Sequence, residues 1–134
     1  MRTRSYRDLV VWQRAMQLAR VSYELTRRLP AEERFGLSSQ IRRAAVGVAA
    51  NIAEGHASAY RRVFLRHLSI AHASLVELEC HLLITVEVGL LHTDDAAPAA
   101  EMIDSVSRML RAMRRTLSEQ LPRRSAPDAR PSTG

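Results

Sequence analysis

Residues 36–55, GLSSQIRRAAVGVAANIAEG, read as one helix that carries small side chains on nearly every face. Ala44, Ala45, Gly47, Ala49, Ala50 and Ala53 leave only Ile41, Val46, Val48 and Ile52 for bulk. Ser38 or Ser39 can cap the start through a side-chain oxygen, and Gly55 can end the helix in the left-handed conformation. A helix this smooth lets neighbours approach closely. Gly47 costs about 1 kcal/mol of helix propensity relative to alanine. That cost points either to backbone proximity at this position or to a glycine that is simply tolerated.

Upstream, the pattern predicts a helix over 8–29, with Asp8 as its cap and Pro30 just past its end. Two apolar rows run along it. Leu9, Trp12, Met16, Ala19 and Tyr23 keep heptad spacing, and Val11, Ala15, Leu18, Leu25 and Leu29 lie beside them. So wide an apolar face suits a helix with more than one neighbour. In the connection PAEERFGL (30–37), Phe35 is the residue expected to tuck under the bundle end.

Downstream, a helix is predicted over 58–89. Phe64, Leu68, Ala71, Leu75, Leu78, Leu82 and Thr85 hold heptad spacing throughout and give the clearest core signal in the chain. The adjacent row of Val63, His67, Ile70, Ser74, Glu77, His81 and Ile84 is half polar, so it should face solvent, a groove or another subunit. A fourth helix is predicted over 93–121, capped by Thr93, with Asp94 and Asp95 at the positive end of its dipole. Its seam is Ala99, Met102, Val106, Leu110, Met113 and Leu117, with Ile103 and Met109 alongside. No strand-period alternation competes. The expected fold class is all-α, an antiparallel up-down-up-down four-helix bundle over 1–121. PRRSAPDARPSTG (122–134) has nothing to bury and is expected to be a disordered tail.

The run FGLSSQIRRAAVGVAANIAEG (35–55), preceded by YRDLVVWQRAMQLA (6–19) and followed by FLRHLSIAHASLVELECHLLI (64–84), resembles a bacterial four-helix-bundle family. Its members include the 23S ribosomal RNA intervening-sequence proteins and the accessory proteins of diversity-generating retroelements. The resemblance covers roughly residues 6–91 and implies a fold and an assembly more than an activity. It implies a homo-oligomer, most simply a homopentamer, with the bundles arranged around an axis. It also implies RNA or DNA, a ribosome component or a reverse transcriptase as partners.

The chain of 134 residues is 46% hydrophobic and 25% charged, an ordinary globular composition of one domain. No unbroken run of about 18 apolar residues suggests a membrane span, and no secretory signal pattern follows Met1, so no membrane role is expected. The single Cys80 fits a reducing, cytoplasmic setting. All 20 basic residues are arginine and the net charge is +6, with a pI near 10.9. Guanidinium forks bind phosphates bidentately and stay charged at working pH, so a polyanionic partner is expected.

The assumed topology sorts the arginines. One pole collects Arg2, Arg4 and Arg7, then Arg61, Arg62 and Arg66, then Arg111, Arg114, Arg115, Arg123 and Arg124, against Asp8, Glu54 and Glu119. Arg4, Arg7, Arg61, Arg62, Arg66, Arg111, Arg114 and Arg115 are the nucleic-acid-binding candidates. In a cyclic ring every copy points the same way, so these poles would form one positive rim. Tyr6 and Tyr60 are the aromatic residues expected near it, and no DNA-reading or single-strand-binding motif accompanies them.

Chemistry has little support. The paired Glu-x-x-His motifs of a di-iron bundle are absent, and Glu77 with His81 falls short of a metal site's ligand count. Cys80 and His81 are sequence neighbours about 100° apart on a helix, which is no nucleophile–base pair, and Cys80 reads as a partly buried apolar residue. Asn51, Glu54 and Gly55 are expected to fix the turn after the second helix, Glu54 pairing with Arg61 or Arg62. No catalytic residue, metal or cofactor is expected. The leading reading is a non-enzymatic oligomer that offers a basic surface to RNA. The alternative is a protein–protein adaptor or scaffold with an acidic protein partner and no nucleic-acid role.

Overall fold

The heptad seam between Leu68 and Thr85 organises the molecule. In the structure, a computed structural model describing residues 5–122, Leu68, Ala71, Leu75, Leu78, Leu82 and Thr85 are all buried. They lie on α3 (Arg61–Glu87), which follows α1 (Val10–Thr26) and α2 (Leu37–Ala57) and precedes α4 (Thr93–Glu119). Short 3-10 turns at Tyr6–Asp8 and Ala31–Glu33 complete the described elements, and no strand occurs among the described residues. α2 packs between α1 and α3, and α4 closes the square against the same two helices, while the diagonal pairs do not meet. The order is up-down-up-down, antiparallel throughout, as expected. The proposed tail, apart from Pro122, and Arg2 and Arg4 lie outside the described residues.

Each helix gives its neighbours one face. From α1 the core takes Val11, Ala15, Leu18, Ser22 and Leu25. Of the two rows in the sequence, this second one is the core. The row Leu9, Trp12, Ala19 and Tyr23 is half-buried and its member Met16 is exposed. From α4 come Ala96, Ala99, Ile103, Val106 and Leu110, with Met102, Met109, Met113 and Leu117 packed at the margin. The small faces of α2 let it lie closest to α3. A Cβ on Gly47 would stand 3.0 Å from Ser74 Oγ, and one on Gly55 only 2.7 Å from His67 Cβ and 2.9 Å from Phe64 Cδ1. Both glycines serve close approach.

Several helix ends differ from expectation. Gly55 is not a left-handed cap: α2 continues through it to Ala57, and Ser58 ends the helix in an extended conformation. Gly89 holds the left-handed role, with φ +82°. Its N–H donates to Val86 O at 3.0 Å and the Leu90 N–H to Thr85 O at 3.0 Å, a Schellman closure of α3. α3 accordingly starts at Arg61, later than 58, and Ser58 belongs to the turn. At the other end of α2, neither Ser38 nor Ser39 caps. Gly36 occupies that position and Glu33 Oε2 accepts the Leu37 N–H at 3.1 Å. α1 starts from Leu9, because residues 6–8 form their own 3-10 turn and Asp8 is part of it. α4 starts from His92 instead of Thr93, with the His92 N–H donated to Asp95 Oδ2 at 3.0 Å.

Two side chains sit elsewhere than expected. Phe35 does not tuck under the bundle; it is 88% exposed, with the Arg34 guanidinium 5.4 Å from its ring centre. Cys80 is exposed on α3, not partly buried. α3 is also long and apolar enough, by length and composition, to cross a membrane. The reason is that it is apolar on two faces. One is the buried seam; the other exposes Ile70, Val76, Leu83 and Ile84.

Candidate nucleic-acid interface

The antiparallel order brings the start of α1, the α2–α3 turn and the end of α4 to one pole. Val10 and Val11 share a groove with Met109, Met113 and Thr116. The Arg61 guanidinium donates to the Gln120 carbonyl at 3.4 Å and so ties the start of α3 to the end of α4. Seven of the eight candidate arginines lie at or beside this pole: Arg7, Arg61, Arg62, Arg66, Arg111, Arg114 and Arg115. Arg114 is half-buried and the rest are exposed. Arg4 is outside the described residues. Near Arg7, the Tyr6 ring lies 5.8 Å from its guanidinium, while Gln13 Nε2 donates to its carbonyl at 2.9 Å. Tyr6 is itself held edge-on against Trp12 at 5.2 Å, whereas Tyr60 is open to solvent.

Two arginines at the far end of the bundle are engaged with neighbouring helices. At the far end, Arg28 pairs with Asp95 at 3.1 Å. Arg42 donates from Nε to Thr26 Oγ1 at 2.8 Å and covers the Tyr23 ring at 4.8 Å. Those guanidiniums hold α1 to α4 and to α2. At the basic pole, among the described residues, no carboxylate lies within ion-pair distance of any of the seven arginines.

The groove between α3 and α4 concentrates this field. Arg111, Arg114 and Arg115 line it from α4, opposite Leu65 and Ser69 of α3, with Ser118 at its end. One turn further along, Arg111 also borders a recess with His72. Burial first, and then the Arg114 and Arg111 charges, push the His72 pKa below its ordinary value. The sequence gives no signal for His72 as part of this surface, because it stands outside both rows read along α3.

The Asn51, Glu54 and Gly55 group does not act as a turn. Asn51 Nδ2 donates to Gly47 O at 2.8 Å, inside α2. Its Oδ1 lies 3.1 Å from His67 Nδ1. Glu54 approaches the same nitrogen at 3.7 Å, so its partner is His67, not Arg61 or Arg62. With Gly55 packed on the His67 Cβ, these residues register α2 against α3 beneath the pole. The i, i+3 spacing of Asn51 and Glu54 predicted their common face, but not the histidine that meets it. Among the described residues, no three His, Cys, Asp or Glu side chains gather as metal ligands.

Comparison with known proteins completes the picture. A protein of unknown function from the S23 ribosomal protein family of Bacteroides thetaiotaomicron shares the fold, with a TM-score of 0.73 at 23% identity over 78% of this chain and 97% of that one. No curated protein matches the chain. A family model described as 23S rRNA-intervening sequence protein matches residues 7–112, from the first described arginine of the basic pole into α4, ending before Arg114 and Arg115. On that match the chain belongs to the 23S rRNA-intervening sequence protein family.

Proposed function

We propose that this protein is a non-enzymatic, self-associating helical bundle that presents its arginine pole to RNA. The setting is cytoplasmic, and the target is ribosomal RNA or an RNA-bound complex such as a reverse transcriptase. One observation carries the reading: among the described residues, seven arginines gather at one pole with no carboxylate within ion-pair distance. Unpaired guanidiniums are suited to phosphate, and the scarcity of open aromatic rings argues for phosphate-led binding with little base reading. The family's printed name, which refers to 23S rRNA, supports the same class of partner. Self-association is supported by the apolar face that α3 leaves exposed, and the pentamer is the assembly that the family resemblance implies.

The test is RNA binding across a salt series, on protein freed of co-purified nucleic acid. Binding should weaken steeply with salt, by about 0.7 to 0.9 of a log–log slope unit for each phosphate neutralised. Replacing Arg111, Arg114 and Arg115 together with Gln should weaken binding and flatten the slope by about two to three units while the helical signal and melting temperature stay unchanged. Absence of binding at about 50 mM salt, where such association is strong, overturns the reading in favour of an adaptor for an acidic protein.

A further inference from the structure

Arg111, Arg114 and Arg115 stand at i, i+3 and i+4 on α4, so all three project from one face. That face looks across at Leu65 and Ser69 of α3, which are themselves four residues apart. The helices leave between them an open groove of about 430 Å³. Leu65 lends it an apolar wall, and Ser118 and Ser69 add hydroxyls. The Ser69 hydroxyl donates to the Leu65 carbonyl at 3.2 Å, so its proton is used within α3. Asp104, the acidic residue of the neighbouring recess on α4, is bound to Arg108 at 3.2 Å and neutralised.

We propose that this α3–α4 groove is a discrete phosphate-binding site, in which the guanidiniums of Arg111, Arg114 and Arg115 converge on one phosphate group of the nucleic acid. This rests on the reading that the pole binds RNA, and narrows it from a diffuse field to a seat of fixed position. Three guanidinium forks around one oxyanion supply charge-assisted donors in plenty, so the seat accepts an internal diester or a terminal monoester. Ser118 supplies a hydroxyl donor at the pole end. His72 lies in the adjoining recess, which Arg111 also borders, close enough to feel the Arg111 and Arg114 charges of α4 and together with Asp104 of α4 and Glu79 of its own helix. A phosphate seated in the groove offsets the two arginine charges that, after burial, lower the His72 pKa. His72 therefore reports occupancy.

The experiment follows the His72 imidazole by NMR through a pH titration, with inorganic phosphate and with chloride at equal ionic strength. Phosphate should move the His72 pKa up toward its ordinary value, and chloride should not. Arg114→Gln should raise that pKa by itself and cut phosphate affinity about tenfold or more, the loss of one charge-assisted contact. A His72 signal that phosphate moves no further than chloride overturns the site. RNA oligomers carrying a 5′-phosphate or a 5′-hydroxyl are then compared. His72 moving with the former alone assigns the seat to a terminal phosphate, and with both to the backbone; either supports the site. RNA that binds and leaves His72 still overturns the groove while the basic-pole reading stands. His72 answering to phosphate in a protein that binds no RNA keeps the groove and removes that reading.

Discussion

At the scale of single residues, the α2–α3 contact is set by two glycines that are not equivalent. A methyl group at Gly55 would press within 3.3 Å of the Phe64 backbone oxygen as well as on its ring and on His67. The backbone cannot rotate away, so Gly55→Ala forces α2 and α3 apart. Overpacking of this kind costs about 1–3 kcal/mol, partly offset by about 1 kcal/mol of regained helix propensity. At Gly47 the obstacle is the Ser74 hydroxyl, which can turn aside, so Gly47→Ala should be close to neutral. Gly47→Leu adds bulk that the same contact cannot absorb. Urea denaturation should rank the midpoints wild type near Gly47→Ala, with Gly55→Ala and Gly47→Leu lower. A different site offers a gain. Ser22 Oγ is buried with no hydrogen-bond partner. Ser22→Ala removes an unsatisfied group whose burial costs about 1–3 kcal/mol, so the midpoint should hold or rise. The same residues mark what a sequence can tell. Gly47 announces close approach by its propensity cost, whereas Gly55, followed by a polar turn, looks like a helix end. Only the partner helix shows that its missing side chain is filled by Phe64 and His67.

At the scale of elements, the helices were legible and their ends were not. The α3 seam is read directly because every seventh-residue pair on it is apolar or threonine. On α1 the choice between rows was obscured by Ser22, a polar residue in the buried row, while the competing row carries Trp12, Met16 and Tyr23. Capping depends on contacts that no local pattern fixes. Glu33, four residues upstream, reaches the Leu37 N–H across a turn. Asp95 is the clearest case with a measurable consequence. It accepts the His92 N–H at the start of α4 and pairs with Arg28 from the end of α1. The His92 backbone bond, and then the Arg28 charge against some desolvation, hold its carboxyl below the ordinary aspartate value. A depressed folded-state pKa stabilises fully above the unfolded value, and that contribution is lost as pH falls through the folded value. The wild-type protein should therefore be more stable than Asp95→Asn at neutral pH. Melting temperatures followed downward through the acid range should converge below the aspartate pKa. A gap that persists unchanged at low pH would mean that the carboxyl charge contributes nothing at this junction.

At the scale of the whole molecule, two surfaces remain once the core is complete, and they are perpendicular in role. One is the arginine pole at an end of the bundle. The other runs along the side of α3, where Ile70, Val76, Cys80, Leu83 and Ile84 are exposed, Leu83 at 64% and Val76 at 53%. The sequence places the charge correctly because topology alone sorts it. Of the α3 side only Ile70 and Ile84 belong to the half-polar row that the sequence left open between solvent, groove and subunit; Val76, Cys80 and Leu83 lie outside both rows read along α3. If copies associate along their sides in a closed ring, their poles point the same way and their charges add on one rim. Val76→Glu with Leu83→Glu places two carboxylates on that side without touching the core. Light scattering should then show a loss of mass with little change in melting temperature. The consequence for RNA is specific. Each phosphate neutralised contributes about 0.7 to 0.9 to the log–log salt slope, so a rim spanning several poles gives a steeper slope than one bundle alone. The dissociated variant keeps every arginine, yet its slope on a long RNA should fall toward that of a single pole. An unchanged slope after loss of mass would mean that each bundle binds independently and that assembly serves some purpose other than building the rim.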